Sequence, residues 1–350
     1  MLRSRFLAFL VAAAASGWAR PALATGGLDL DDGPFAPATP VPDPYRMPDP
    51  EVEPQRVDPN VMVRVRVGDD EQTRYRGSLA QSGEARINIL PLEDYLLGVL
   101  PLEMPSAWPA EALAAQAIVA RTYALRKCRP NKAYDLVAGT ADQMYGGLSV
   151  EVPVASQAVL GTSGKVITYN GQLADVAYMS CCGGHTEDAQ RLWGSSLPYL
   201  RGVADPYCAA SPQTVWTLEL TWETLGRPFH FDTDAPLDRV ELLGPPGARP
   251  VTLRCVSGGT AQDIDVLALH RAFARQMHSS YLRSAQVENS DEGEDDAGNR
   301  KVVLNGAGRG HGVGFCQWGA RGMALSGASA AQIVAFYFPG TAVDQRSSIS

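Results

Sequence analysis

One stretch constrains this 350-residue chain more than any other, Leu90 to Leu125: LPLEDYLLGVLPLEMPSAWPAEALAAQAIVARTYAL. Its spacing predicts a short apolar helix over Leu92–Leu100 and a longer one over Pro109–Arg126. Pro109 suits a first helical turn, where a missing N–H costs nothing. The longer helix is apolar almost all round, with Leu113, Ala117, Ala120 and Ala124 on one face and Ile118 and Leu125 on another. A helix of that kind is buried. It nevertheless carries Gln116, Arg121, Thr122 and Tyr123, and buried polar groups need partners. Glu103 sits in the break between the helices, closed by Pro105 and Pro109. It has two readings: a structural ion pair with Arg121, or a carboxylic acid whose pKa is raised beside an apolar helix for acid catalysis.

The ends of the chain read differently. Residues 1–24 have the pattern of an export signal: Arg3 and Arg5, an apolar run from Phe6 to Ala15, and Ala22-Leu23-Ala24 as a cleavage site. The run is too short to span a membrane, and no later stretch is long enough, so the mature chain is expected outside the cytoplasm without a membrane span. Residues 25–59 are rich in Pro, Asp and Gly without periodicity and read as a linker. The formal net charge of −8 is misleading, because the signal carries +3, the linker −6 and the acidic run 288–296 another −6. What is left is nearly neutral. It has no basic stripe for nucleic acid, and it suits a polar, uncharged ligand.

Order is expected from about residue 60. Val61–Val67 alternates with period two, the mark of a strand with one buried face. Ala85–Leu90, Lys165–Tyr169, Ala174–Ser180, Trp216–Thr221 and Val251–Val256 read as further strands, with a hairpin turn at Asn170-Gly171. Val152–Leu160, His270–Met277 and Ser329–Phe338 read as helices. The expected fold is α+β: a single mixed domain over 60–345, its central buried helices packed on short antiparallel strands. It carries a disordered acidic insert at 287–299.

Six cysteines in an exported chain suggest disulfides or a metal site. Cys182-x-x-His185 has ligand spacing, and with Cys208 and Cys316 it makes one candidate set for a structural zinc. A Cys182–Cys208 disulfide is the alternative. A third reading makes Cys182 or Cys316 a nucleophile with His185 or His311. The glycine-rich run Gly306–Gly322 holds His311 between glycines, followed by Gln317 and Trp318. Amide and aromatic side chains of this kind suit sugar hydroxyls, acetamides and ring faces.

Taken in order, several pieces carry a resemblance. They are Tyr95-Leu96-Leu97-Gly98-Val99-Leu100, Glu103-Met104-Pro105, Glu111 to Ala117, and Ala120-Arg121-Thr122-Tyr123-Ala124. Gly183-Gly184-His185-Thr186-Glu187, Trp193-Gly194, Pro198-Tyr199-Leu200, Gly308 to Gly314, Gln317-Trp318-Gly319-Ala320 and Tyr337-Phe338-Pro339-Gly340-Thr341 follow. The chain resembles the family of the sporulation stage II protein D and the LytB amidase enhancer. The resemblance implies a peptidoglycan lytic transglycosylase that cleaves between N-acetylmuramic acid and N-acetylglucosamine on glycan strands stripped of stem peptides, leaving 1,6-anhydro ends. It places the catalytic acid on Glu103. Gln116, Arg121, Tyr123, His311 and Gln317 are the candidates for holding substrate. No cofactor is required for this chemistry. The enhancer name implies a second possibility, a non-catalytic glycan-binding partner of a cell-wall amidase. Where sporulation members often have Ser or Thr, this chain has Cys181, Cys182 and Cys316; its expected signal and long linker, in place of a clear membrane anchor, point to a general envelope role.

Overall fold

The computed structural model describes residues 61–128, 131–289 and 300–345. The expected signal and linker, and most of the acidic insert, lie outside the described residues. Chain order is β1 (Met62–Val67), β2 (Ser78–Ser82), β3 (Ala85–Pro91), α1 (Leu92–Leu97), α2 (Leu100–Glu103), α3 (Ala110–Lys127), β4 (Leu136–Val137) and α4 (Pro153–Gly161). Then come β5 (Lys165–Tyr169), β6 (Gln172–Leu173), β7 (Tyr178–Met179), α5 (Ala189–Trp193), β8 (Trp216–Thr221) and α6 (Trp222–Gly226). β9 (Leu237–Leu243), β10 (Thr252–Ser257), β11 (Thr260–Asp265), α7 (Val266–Ala272), β12 (Leu282–Asn289) and β13 (Arg300–Gly306) follow. The last elements are β14 (Phe315–Cys316), α8 (Gln317–Leu325), α9 (Ala330–Tyr337) and β15 (Ala342–Gln345). The fold is mixed α+β, with helices packed against several small sheets.

Two hydrophobic cores organise these elements. In the first, α3 is surrounded. Its residues Ala112, Leu113, Ala115, Ala117, Val119, Ala120 and Ala124 are all inaccessible to solvent, as the apolar pattern requires. Pro109 is the residue before the helix rather than its first residue, with φ −54° and ψ 142°. β1 buries Val63, Val65 and Val67 and pairs antiparallel with β3, from Met62 opposite Pro91 to Val67 opposite Arg86. The sheet order is β2-β3-β1-β4. Asn170 (φ 49°) and Gly171 (φ 74°) make the tight turn between β5 and β6, both left-handed as a type I′ turn demands.

The second core is built from residues 216–306. Trp216, Leu218, Leu220, Leu237, Leu253, Ile264, Leu269, Leu282, Val302 and Leu304 pack together there. Two three-stranded antiparallel sheets frame it, ordered β11-β10-β9 and β12-β13-β8.

Three local expectations change. The acidic insert begins later than predicted, because Val287, Glu288 and Asn289 are strand residues opposite Val302, Lys301 and Arg300. The helix expected over His270–Met277 starts at Val266 and ends at Ala272, because the Asp265 carboxylate accepts the Ala268 N–H at 2.9 Å and caps it there. The strand expected over Ala174–Ser180 shrinks to Tyr178–Met179. The Asp175 N–H donates to the Tyr199 hydroxyl (3.0 Å) rather than to a neighbouring strand.

Candidate active site

Glu103 is placed by its own chain break. It is the last residue of the single turn α2, and Met104 leaves it in an extended conformation, φ −137° and ψ 132°. The residue before a proline is driven to that conformation by the ring of Pro105. The half-buried carboxyl group is thereby turned to the 138–145 loop, where its Oε1 accepts the Met144 N–H at 2.7 Å. Burial raises its pKa above the usual 4.5, while the Met144 N–H and the side chains of Tyr178 and Gln317 pull the other way. The Tyr178 hydroxyl is fully buried beside Glu103 and Gln143, yet meets hydrogen-bond geometry with neither. Trp108 stands edge-on to Trp318, ring centroids 4.8 Å apart.

A cleft of about 500 Å³ opens over Glu103. Tyr123, Asp142, Met144, Tyr178, Trp193 and His311 are among its walls. Trp193 is half exposed, and its ring centroid is 5.3 Å from that of His311. Aromatic faces on a cleft of this size suit pyranose rings. Asp142 is the only other carboxylate on the cleft lining among the described residues, and it is fully engaged. Its Oδ1 accepts from the Tyr123 hydroxyl at 2.9 Å and lies 3.1 Å from Lys127 Nζ; its Oδ2 accepts the Val137 N–H at 2.9 Å.

The short parallel pair β7–β14 brings the two glycine-rich motifs together, helped by isolated bridges from Cys181 to Arg309 and from Glu187 to Val313. His311 is fixed by this arrangement. Its Nε2–H donates to the Tyr178 carbonyl (2.9 Å) and its Nδ1 accepts the Val313 N–H (3.0 Å). Both nitrogens are thus committed to backbone, and His311 presents a ring face rather than a free donor. Gly312 is needed here: it has φ +90°, and an added Cβ would meet the Arg249 guanidinium at 2.6 Å.

Burial also depresses the His311 pKa below 6.5. The unfolded chain therefore takes up a proton near 6.5 that the fold refuses, and stability falls as pH drops through and below that value. His311→Gln is expected to melt with a weaker pH dependence than wild type between about pH 5 and 7. Equal slopes for the two proteins would show that His311 is not held neutral.

The other expected site residues fall into two groups. Tyr123 lines the cleft. Gln116 and Gln317 lie beneath it, buried, with Gln317 Nε2 donating to Gln116 Oε1 at 3.3 Å and Gln116 Nε2 unpartnered. Arg121 is fully buried and away from the cleft. It pairs with Glu93, Nε to Oε1 at 2.7 Å and Nη2 to Oε2 at 2.8 Å, not with Glu103. Of the expected metal set, Cys182, Cys208 and Cys316 converge and His185 does not. Gly183 (φ +78°) and Gly184 (φ +110°) turn the chain so that the His185 imidazole reaches the Thr186 carbonyl, Nδ1 to O 2.6 Å. Asp205 occupies the fourth place. Cys182 and Cys316 are inaccessible to solvent, which leaves neither available as a nucleophile.

Sequence reasoning did not single out Tyr178, Asp142 or Trp193 for the cleft. Trp193-Gly194, among the pieces that carry the resemblance, was the one available signal.

Comparison with known proteins gives the family. A family model described as Stage II sporulation protein matches residues 80–169. The stage II sporulation protein D of Bacillus amyloliquefaciens is 30% identical over 277 residues, 74% of this chain and 76% of that protein. The chain belongs to the stage II sporulation protein D family. The stage II sporulation protein D of Bacillus subtilis (strain 168) is 29% identical over 273 residues, 73% of this chain and 75% of that protein. The amidase enhancer of Bacillus subtilis is 33% identical over 287 residues, 70% of this chain but only 40% of that longer protein. No described helix is long and apolar enough to cross a membrane.

Proposed function

We propose that this family member is an extracytoplasmic peptidoglycan lytic transglycosylase with Glu103 as its general acid and base. One observation carries the reading. Among the described residues lining the cleft, Glu103 is the one carboxyl group left open to a substrate, held by burial with a raised pKa, and the other carboxylate, Asp142, is engaged by Tyr123, Lys127 and Val137. Ordinary glycosidases need two working carboxyl groups. A lytic transglycosylase needs one. Glu103 gives its proton to the glycosidic oxygen as the bond from muramic acid C1 breaks. It then takes the proton of the same sugar's C6 hydroxyl as that oxygen attacks C1, closing the 1,6-anhydro ring. The net reaction is an intramolecular transglycosylation in which water is not consumed and the acid is regenerated.

The 2-acetamido group of the muramic acid assists by stabilising positive charge at C1. Tyr178, whose buried hydroxyl lies beside Glu103, favours the ionised form of the acid between its two proton transfers. Trp193 and His311 supply ring faces for the sugars, and Gln317 steadies the acid from below. Similarity to the amidase enhancer favours a second reading, a glycan-binding subunit that stimulates a cell-wall amidase without cutting glycan.

The two separate in one assay. Peptide-free glycan strands incubated with the purified chain are expected to yield new 1,6-anhydro ends by mass spectrometry. Strands retained by the protein but left intact would establish the binding reading instead.

A further inference from the structure

The cysteines of the glycine-rich motifs are not explained by glycan chemistry. Three sulfurs and one carboxylate meet in the interior: Cys182, Cys208, Cys316 and Asp205, every ligand atom within 4.8 Å of every other and every residue buried. They come from far apart in the chain. Cys182 precedes the Gly183-Gly184 turn, Asp205 caps a short 3₁₀ turn and Cys208 lies within it, and Cys316 is the residue before α8.

We propose that these four residues bind one structural Zn²⁺. Zinc bound at about 2.3 Å to thiolate sulfur in a tetrahedron sets two sulfurs about 3.8 Å apart. The Cys182 and Cys208 sulfurs are 3.7 Å apart, and Asp205 Oδ2 is 3.1 Å from Cys182 Sγ. The surrounding groups suit bound thiolates and an oriented carboxylate. Cys316 Sγ accepts two backbone N–H groups, from Cys182 at 3.2 Å and Gly319 at 3.3 Å. The Tyr337 hydroxyl donates to Asp205 Oδ2 at 2.9 Å and fixes that carboxylate from outside. Three thiolates, one carboxylate and Zn²⁺ sum to a charge of −2. A cation stands ready nearby: buried Arg249 donates Nη2 to the Cys182 carbonyl at 2.7 Å and Nε to the His185 carbonyl at 2.9 Å.

Three soft ligands and one oxygen at tetrahedral spacing select zinc over harder cations such as Mg²⁺ or Ca²⁺. Four protein ligands leave no open position for water, so the metal is structural. Binding turns three thiols into thiolates and releases up to three protons to solvent; no electrons move. A Cys182–Cys208 disulfide accounts for two of the four groups but gives no reason for Cys316 and Asp205 to be there.

The site is testable without any glycan assay. The full-length chain, purified without chelator, is expected to carry one zinc per molecule by elemental analysis and native mass spectrometry. Replacement by Co²⁺ is expected to give thiolate-to-cobalt charge transfer and the visible bands of a tetrahedral site. Asp205→Asn and Cys316→Ser should lose most of the zinc, while Cys255→Ser, a cysteine of the other core, should keep it. A wild-type chain, reduced and folded, that takes up neither zinc nor Co²⁺ would overturn the proposal. So would a Cys182–Cys208 disulfide found by non-reducing peptide mapping of zinc-free, folded protein.

Discussion

Glu103→Gln is expected to abolish formation of 1,6-anhydro ends while leaving the fold intact. The amide keeps the shape of the carboxyl group and can still accept the Met144 N–H, which Glu103 Oε1 accepts at 2.7 Å. It cannot deliver a proton to the glycosidic oxygen. Positioned general acids contribute on the order of 10²–10⁴ in rate, so a loss of at least about 10²-fold is expected. Stability should move in the other direction. Burial raises the Glu103 pKa, so the fold holds the acid's proton more tightly than the unfolded chain does. As pH rises from the ordinary 4.5 through the raised value, that preference is lost, and above it the ionised group is a net burden. Glutamine carries no such burden. The variant should therefore melt at or above the wild-type temperature at neutral pH, with the difference vanishing below about pH 4.5. The same shift predicts that wild-type activity declines as pH rises through the folded pKa, because the reaction starts from the protonated acid. Undiminished cleavage by Glu103→Gln would end the proposed mechanism. An unfolded variant would give the carboxyl group a structural role instead.

What sequence could and could not reveal here follows from the range of the interactions. Elements specified by near neighbours were readable. The valines of β1 alternate, the apolar residues of α3 cover its whole surface, and Asn170-Gly171 can hardly do anything but turn. Glu103 itself was readable because two prolines isolate it next to a buried helix.

The second core was much less visible. Its strand β9, Leu-Asp-Arg-Val-Glu-Leu-Leu, is fully buried only at Leu237, so its periodicity is faint. The expected metal set failed in one member for a related reason. Cys182-x-x-His185 has ligand spacing, but two glycines of positive φ lie inside it, and they turn the histidine outward while the 3₁₀ turn carries Asp205 inward. His311 was noticed as a candidate, yet its two partners are backbone groups of Tyr178 and Val313, which no residue pattern displays.

The partner of Arg121 was the least readable feature, and it carries the largest expected effect on stability. Spacing in the sequence offered Glu103; packing decides, and it chooses Glu93 on α1. The guanidinium is wholly inaccessible, and the Glu93 side chain is 19% exposed. Beyond the two-point contact with Glu93, Arg121 donates Nη2 to the Val159 carbonyl at 3.1 Å and Nη1 to the Lys165 carbonyl at 3.2 Å. One side chain thereby ties α3 to α1, α4 and β5. Arg121→Met removes the charge but leaves Glu93 without its cation. Breaking a buried pair on one side costs about 3–5 kcal/mol, and the urea unfolding midpoint should fall accordingly. Glu93→Leu alone should also destabilise, because it strands the guanidinium in the core. The double variant Arg121→Met with Glu93→Leu should recover much of the loss, since neither charge then remains to be satisfied. A substrate role for Arg121 predicts a different pattern: Arg121→Met as stable as wild type but weaker in holding glycan strands. The fully satisfied, solvent-free guanidinium argues for the first outcome.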